Sequence, residues 1–261
     1  MKILYIGDVM GEPGIRIVEK VLPELKQKES IDLVIAQAEN VTEGRGMSEE
    51  DMKTLQDLGV DFFTGGNWSL FRENTLHADN PVIRPANYPP GTPGQGWKYI
   101  KTPKGDVLVV SLLGKIVGKD ADKPVQNPLQ TIDQILDANK AHPRAATIVN
   151  FHGDYSSEKR VSGYYLDGRV SAVIGDHWHV PTADAMVLPG GTAHISDVGM
   201  CGTLHSSLGV KIDTIISRWK HGHVNKNELE TEGPLQFNAV LVDVSENGLA
   251  KSIKPIQQIL D

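Results

Sequence analysis

The sequence predicts an α/β fold, a β-sheet core flanked by helices, arranged as one domain. Three observations predict it. Short runs rich in Val, Ile, Leu and Phe alternate with helix-like segments, the pattern of strands buried under helices. The chain is 261 residues long and 39% hydrophobic, enough to bury a sizeable core. It carries no linker-like stretch and no internal repeat that would divide it.

The apolar runs are Lys2–Ile6, Leu33–Ala36, Val60–Thr64, Val107–Leu112, Thr147–Phe151, Ala172–Ile174, Thr192–Ile195 and Ala239–Val244. After the first run, Ile15, Val18, Leu22 and Leu25 fall at helical spacing, with Pro23 expected to kink the helix. Ser48 reads as the N-cap of a second helix that Gly59 stops. A third is expected from Pro128 to about Ala138. Between Arg84 and Gly96, RPANYPPGTPGQG is too rich in Pro and Gly for either element and reads as a structured loop. A small cap is allowed from about Gly114 to Asn127.

Composition narrows the function classes. Lys plus Arg total 26 against 33 Asp plus Glu, a formal charge of −7. With no dense basic block, bulk nucleic-acid binding is not expected. No apolar run reaches the ~18 residues of a membrane span, and no signal peptide is evident, so a cytoplasmic protein is expected. A single cysteine, Cys201, forms no internal disulfide and reads as a small buried hydrophobe rather than a nucleophile. A serine or cysteine hydrolase is disfavoured for want of a nucleophile elbow.

The chemistry lies at the carboxyl end of each apolar run. The first leads into Gly7-Asp8, the second into Glu39-Asn40, the third into Gly66-Asn67, a later one into His152, and another into Gly175-Asp176-His177-Trp178-His179. Taken singly, Asp8 fits a turn, Glu39-Asn40 a helix cap, and His152 a hydrogen-bonded core histidine. Taken together, five strand ends deliver two carboxylates, side-chain amides and three histidines to one sheet edge, where open α/β sheets hold ligands. Such a gathering of buried carboxylates calls for a neutralising cation. His177 and His179, at i and i+2, would point to the same side of an extended chain. The mixed N and O donor set, without thiolate, favours Fe or Mn, with Zn or Mg as alternatives. It exceeds the needs of one ion, so two are expected, a pairing that serves phosphoester hydrolysis.

The order and spacing of these residues resemble the calcineurin-like metallophosphoesterases, and within them the bacterial YmdB-type phosphodiesterases. IGDVMGEPG, AENVTEGRGMS, RPANYPPGTPG, FHGDYSSEK, LDGRVSAVIGDHWHVPTAD and LPGGTAHISDVGMCG carry the likeness across nearly the whole chain. The resemblance implies a two-layered αββα sandwich. It also implies that Asp8, Glu39, Asn40 and His179 hold one metal, and that Glu39, Asn67, His152 and His177 hold the other, with Glu39 bridging. Family members hydrolyse 2',3'- and 3',5'-cyclic nucleotides and often form cytoplasmic homo-oligomers. In the Pro-rich loop, Asn87 and Tyr88 are candidates for substrate contact, the alternative being a loop-stabilising amide and a packed ring.

Two departures stand out. Where the family has a histidine after Gly-Asn, this chain has Trp68, whose indole cannot act as an acid. The expected outcomes are a slower phosphodiesterase, an acid supplied by His77, His194 or His205, or a metal-loaded binding protein with weak catalysis. In GDHWH, Asp176 is a candidate to orient an imidazole, and Trp178 to wall the substrate pocket.

Overall fold

The computed structural model describes residues 1–223 and 226–261. It builds thirteen strands among these: β1 (Lys2–Ile6), β2 (Asp8–Val9), β3 (Leu33–Gln37), β4 (Phe62–Thr64), β5 (Trp97–Thr102), β6 (Gly105–Leu113), β7 (Ala146–His152), β8 (Ala172–Asp176), β9 (Met186–Val187), β10 (Ala193–Ile195), β11 (Met200–Thr203), β12 (Leu235–Val244) and β13 (Ala250–Leu260). The helices are α1 (Gly11–Glu29), α2 (Glu49–Asp57), α3 (Pro128–Ala138), α4 (Ser156–Tyr165) and α5 (Ile212–His221).

The strands form two sheets. One runs β2-β11-β12-β1-β3-β4 with β13 on the free side of β12, and the other runs β5-β6-β7-β8-β10-β9. Side-chain alternation sorts the core into layers. In β1, Ile3 and Tyr5 face the second sheet's Val107, Ile148 and Ile174. Leu4 and Ile6 face α1 through Ile17, Val21 and Leu25. On the far side, Leu108, Val110, Val149 and Phe151 pack on Ile132 and Ile135 of α3. Each sheet is thus buried on both faces, which is why these strands read as continuous apolar runs. The expected αββα sandwich is present.

Local chemistry sets the helix ends. The Ser48 hydroxyl accepts the Asp51 amide at 3.1 Å, and Asn127 Oδ1 accepts the Leu129 amide at 2.9 Å. Gly59 adopts φ +102°, a conformation open to glycine. α1 continues six residues past Pro23, because both Pro23 and the Glu19 carbonyl that loses its partner lie on the exposed face. The segment 114–127 is a loop with one 3-10 turn, Gly118–Asp120, lying between β6 and α3.

β1, β3 and β4 are mutually parallel, as are β6, β7 and β8. The polar residues predicted at strand ends therefore come from two sheets rather than the crevice of one, and meet where the two layers end side by side.

Candidate metal centre

His152, at the last position of β7, anchors the site. Its Nδ1 lies 2.7 Å from Asp176 Oδ1, and its Nε2 lies 3.0 Å from Glu39 Oε1 and 2.9 Å from Asn67 Oδ1. Close approach of the segment after β4 is possible only because residue 66 is glycine: a Cβ there would lie 2.3 Å from the imidazole Cδ2. Asp176, the candidate to orient an imidazole, holds that of His152. Its other oxygen receives Tyr5 Oη at 2.8 Å, Gln37 Nε2 at 3.2 Å and Asn150 Nδ2 at 2.5 Å, so the carboxylate is fully solvated by protein.

Glu39 is similarly fixed, since its Oε2 accepts the Trp68 backbone N–H at 2.8 Å. Burial acts to raise its pKa, but the neighbouring His152 charge and hydrogen bond outweigh burial and hold the carboxyl below its usual range. Asn67 donates Nδ2 to Asp120 Oδ2 at 2.9 Å, which turns its carbonyl oxygen toward His152. Donor atoms of Glu39, His152 and His177 all lie within 4.8 Å of one another, a spacing that suits a shared divalent ion.

A second set of donors adjoins this one. Asp8 Oδ1 and Asn40 Oδ1 are buried acceptors with no hydrogen-bond partner among the described residues. His179 Nε2 lies 3.8 Å from Asp8 Oδ1, while its Nδ1 is 3.2 Å from the Leu208 carbonyl. That contact places the proton on Nδ1 and leaves the Nε2 lone pair directed at Asp8. Burial first, then the charge of His177, pushes His179 down to about 4, so the imidazole is neutral, as a ligand must be. Asp8 is held well above the usual carboxylate range by burial and then by Asp176, the state of an acid in want of a cation. Orphaned acceptors and the neutral imidazole of His179 together fit a metal centre.

The two histidines of GDHWH reach these positions differently from the extended geometry expected. β8 ends at Asp176, and His177 and His179 have φ +102° and +62°. Positive φ in two non-glycine residues is local strain retained at a site, of order 1–3 kcal/mol each. It sends His177 beside the His152 ring, at 4.4 Å between centroids, and His179 toward Asp8. The turn is braced from below: Asp197 Oδ2 accepts the Trp178 amide and the buried Lys159 ammonium, each at 2.8 Å.

The structure gives the contacts of three further sets of sequence candidates. Asn87 is fully buried and spends its amide on structure: Nδ2 donates to the carbonyls of Leu113 and Gln126, and Oδ1 accepts the Leu113 N–H. It is a loop brace, not a substrate contact. Trp178 lies with its ring 3.9 Å from the Lys159 ammonium and donates its indole N–H to the Asp154 carbonyl, so it braces the histidine turn. Of the spare histidines, His194 is buried against Gly163 with Nδ1 on the Val173 carbonyl, while His77 and His205 are exposed. Trp68 itself is half-buried, with Arg45 at 4.6 Å and Lys123 at 5.7 Å from its ring.

Asp154, Asp120 and Lys159 escaped the sequence reading. Asp154 Oδ1 sits 3.2 Å from His177 Nε2 and, like Lys159, belongs to the FHGDYSSEK stretch already singled out. Asp120 lies in a polar loop that gave no signal. Cys201 is buried, and its thiol is pushed up to about 12 by burial, which makes it inert.

A family model described as YmdB-like protein matches residues 4–256. The chain belongs to the YmdB-like family. One relative, the 2',3'-cyclic-nucleotide 2'-phosphodiesterase of Bacillus subtilis (strain 168), is 37% identical over 263 residues, covering 100% of this chain and 97% of that protein. The crystal structure of a hypothetical protein from Thermus thermophilus superposes with TM-score 0.91 at 36% identity, covering all of both chains. That of a novel phosphatase from Mycoplasma pneumoniae gives TM-score 0.92 at 30% identity, covering 100% of this chain and 94% of that one. Among the described residues no helix is long and apolar enough to cross a membrane.

Proposed function

We propose that this YmdB-like protein is a dinuclear-metal phosphodiesterase that hydrolyses 2',3'- or 3',5'-cyclic nucleotides or a related small phosphodiester. The observation that carries the reading is the pairing of two donor sets. Glu39, His152 and His177 converge within 4.8 Å, and beside them Asp8 Oδ1 and Asn40 Oδ1 are buried without partners among the described residues. Asp8, Asn40 and His179 would hold one ion, Asn67, His152 and His177 the other, with Glu39 shared. Fe or Mn matches the mixed N and O donors best. Bound there, such ions activate a water nucleophile at neutral pH and neutralise the phosphoryl charge.

The chain's own residues set the rest of the reaction. Asp176 and Asp120 fix the imidazole of His152 and the amide of Asn67, so the donors need little reorganisation. A cavity of about 420 Å³ opens beside Asn67, bounded by Asp120, Lys123, Leu113, Ile116 and Val125, and is of a size to take the nucleoside. Trp68 cannot deliver a proton to the departing oxygen. General acid catalysis is worth roughly 10²–10⁴-fold, so turnover should depend steeply on leaving-group basicity.

The test is hydrolysis of 2',3'-cyclic AMP and of bis(p-nitrophenyl) phosphate with Mn²⁺, by the wild type and Trp68→His. The expected result is turnover of both substrates, with Trp68→His accelerating the alkyl ester more than the aryl ester. Two bound metals with turnover of neither substrate would replace this reading with a binding protein.

A further inference from the structure

The Pro-rich loop holds one more polar group, which the metal centre leaves unused. Tyr88 is 5% exposed, and its hydroxyl has no hydrogen-bond partner among the described residues. A buried hydroxyl without a partner is costly, and a retained one points to a ligand that completes it. The ring is clamped by Leu113, Ile116, Leu70 and Val125. Of these, Leu113, Ile116 and Val125 also line the cavity beside Asn67, while Leu70 closes the turn that carries Asn67 and Trp68. The preceding residue is immobilised by the three Asn87 hydrogen bonds. Tyr88 therefore packs against the apolar lining of the cavity, and the carboxylates of Glu39 and Asp120 act on its hydroxyl.

A phosphodiester that places its phosphorus at the donors and its nucleoside in the cavity has its scissile P–O bond between the two. We propose that the Tyr88 hydroxyl donates a hydrogen bond to the departing ester oxygen, in the role left open by Trp68. This rests on the phosphodiesterase reading. The phenol remains protonated, since burial first, then the carboxylates of Glu39 and Asp120, raise it above its ordinary value. As a water oxygen bonds to phosphorus and the P–O bond to the leaving group breaks, the phenol stabilises the negative charge that develops on the departing oxygen; that oxygen takes its proton from solvent, and the phenol stays neutral.

Tyr88→Phe tests the role, because it removes one oxygen and keeps the ring. With Mn²⁺-loaded protein, kcat for 2',3'-cyclic AMP should fall roughly ten- to hundredfold, the scale of one lost hydrogen bond to a developing charge. For bis(p-nitrophenyl) phosphate, whose leaving group needs little help, the change should stay within about threefold. Metal content should be unchanged, and the melting temperature unchanged or raised, since the hydroxyl has no protein partner among the described residues to lose. In a Trp68→His background the effect of Tyr88→Phe on cyclic AMP should shrink to within about threefold, as the histidine takes over. Equal losses on both substrates, a lowered melting temperature, or the same loss in both backgrounds would overturn the assignment. Wild-type turnover with Tyr88→Phe unaffected would overturn it alone, whereas no wild-type turnover would remove the phosphodiesterase reading and this with it.

Discussion

Substituting Gly66 by alanine should damage the metal centre through one atom. The new Cβ would stand 2.3 Å from Cδ2 and 2.4 Å from Nε2 of His152. Ordinary carbon contacts begin near ~3.5 Å, so the ring must move by about 1 Å. The ring has no slack, because Nδ1 is held at 2.7 Å by Asp176 and Nε2 at 3.0 Å by Glu39. A shift of that size takes at least one contact past hydrogen-bond range. Overpacking costs about 1–3 kcal/mol, and a lost charged hydrogen bond a further ~1.5–3 kcal/mol. For a chain of this size, a loss of ~3 kcal/mol lowers the melting temperature by roughly 6–10 °C. Displacing an imidazole ligand or its support weakens metal binding by ~10–100-fold. Calorimetric Mn²⁺ titration and a thermal scan of Gly66→Ala would measure both. Wild-type Mn²⁺ affinity together with an unchanged melting temperature would refute the packing of residue 66 on His152 and with it the placement of Asn67.

The Lys159–Asp197 pair is fully buried at 2.8 Å, so Lys159→Met strands a carboxylate without its cation, at about 3–5 kcal/mol. Chemical denaturation should register that loss, and Lys159→Met with Asp197→Asn should recover part of it. Asp184 is held down to about 2: burial opposes this, but hydrogen bonds from Ser196 and Thr182 outweigh it. Because the folded value lies below the unfolded one of about 3.9, the stabilisation is present above ~pH 4 and is lost as pH falls toward 2. Urea unfolding of Asp184→Asn between pH 5 and 2.5 should show a flatter acid limb than wild type. An identical pH profile would remove Asp184 from the acid limb.

Much of this fold was legible because the eight apolar runs are strands buried on both faces, where hydrophobic residues predominate. β13 was missed because it is an edge strand whose outward positions are Lys251, Lys254 and Pro255, residues that guard an edge and hide its pattern. α5 buries no residue, so no core stripe marks it, and α4 covers its sheet with small and polar residues such as Ser162 and Gly163. In the site, strand-end position foretold which residues meet, because every parallel strand must deliver its end to one rim. What position could not supply was orientation. Only the turn at His177 and His179, with both φ values positive, separates the two imidazoles. Likewise, Asn87 and Tyr88 are neighbours in sequence, yet one amide is saturated by backbone and the other residue's hydroxyl is left unpartnered among the described residues.

The central claim, that two donor sets hold two ions, is tested most directly by metal stoichiometry. Elemental analysis of the wild type after anaerobic loading with Fe²⁺ or Mn²⁺ should find two ions per chain. Asp8→Ala should bring this toward one by removing a ligand whose Oδ1 has no protein partner among the described residues. A wild type that binds no ion, or an Asp8→Ala variant that keeps the full complement, would contradict the account.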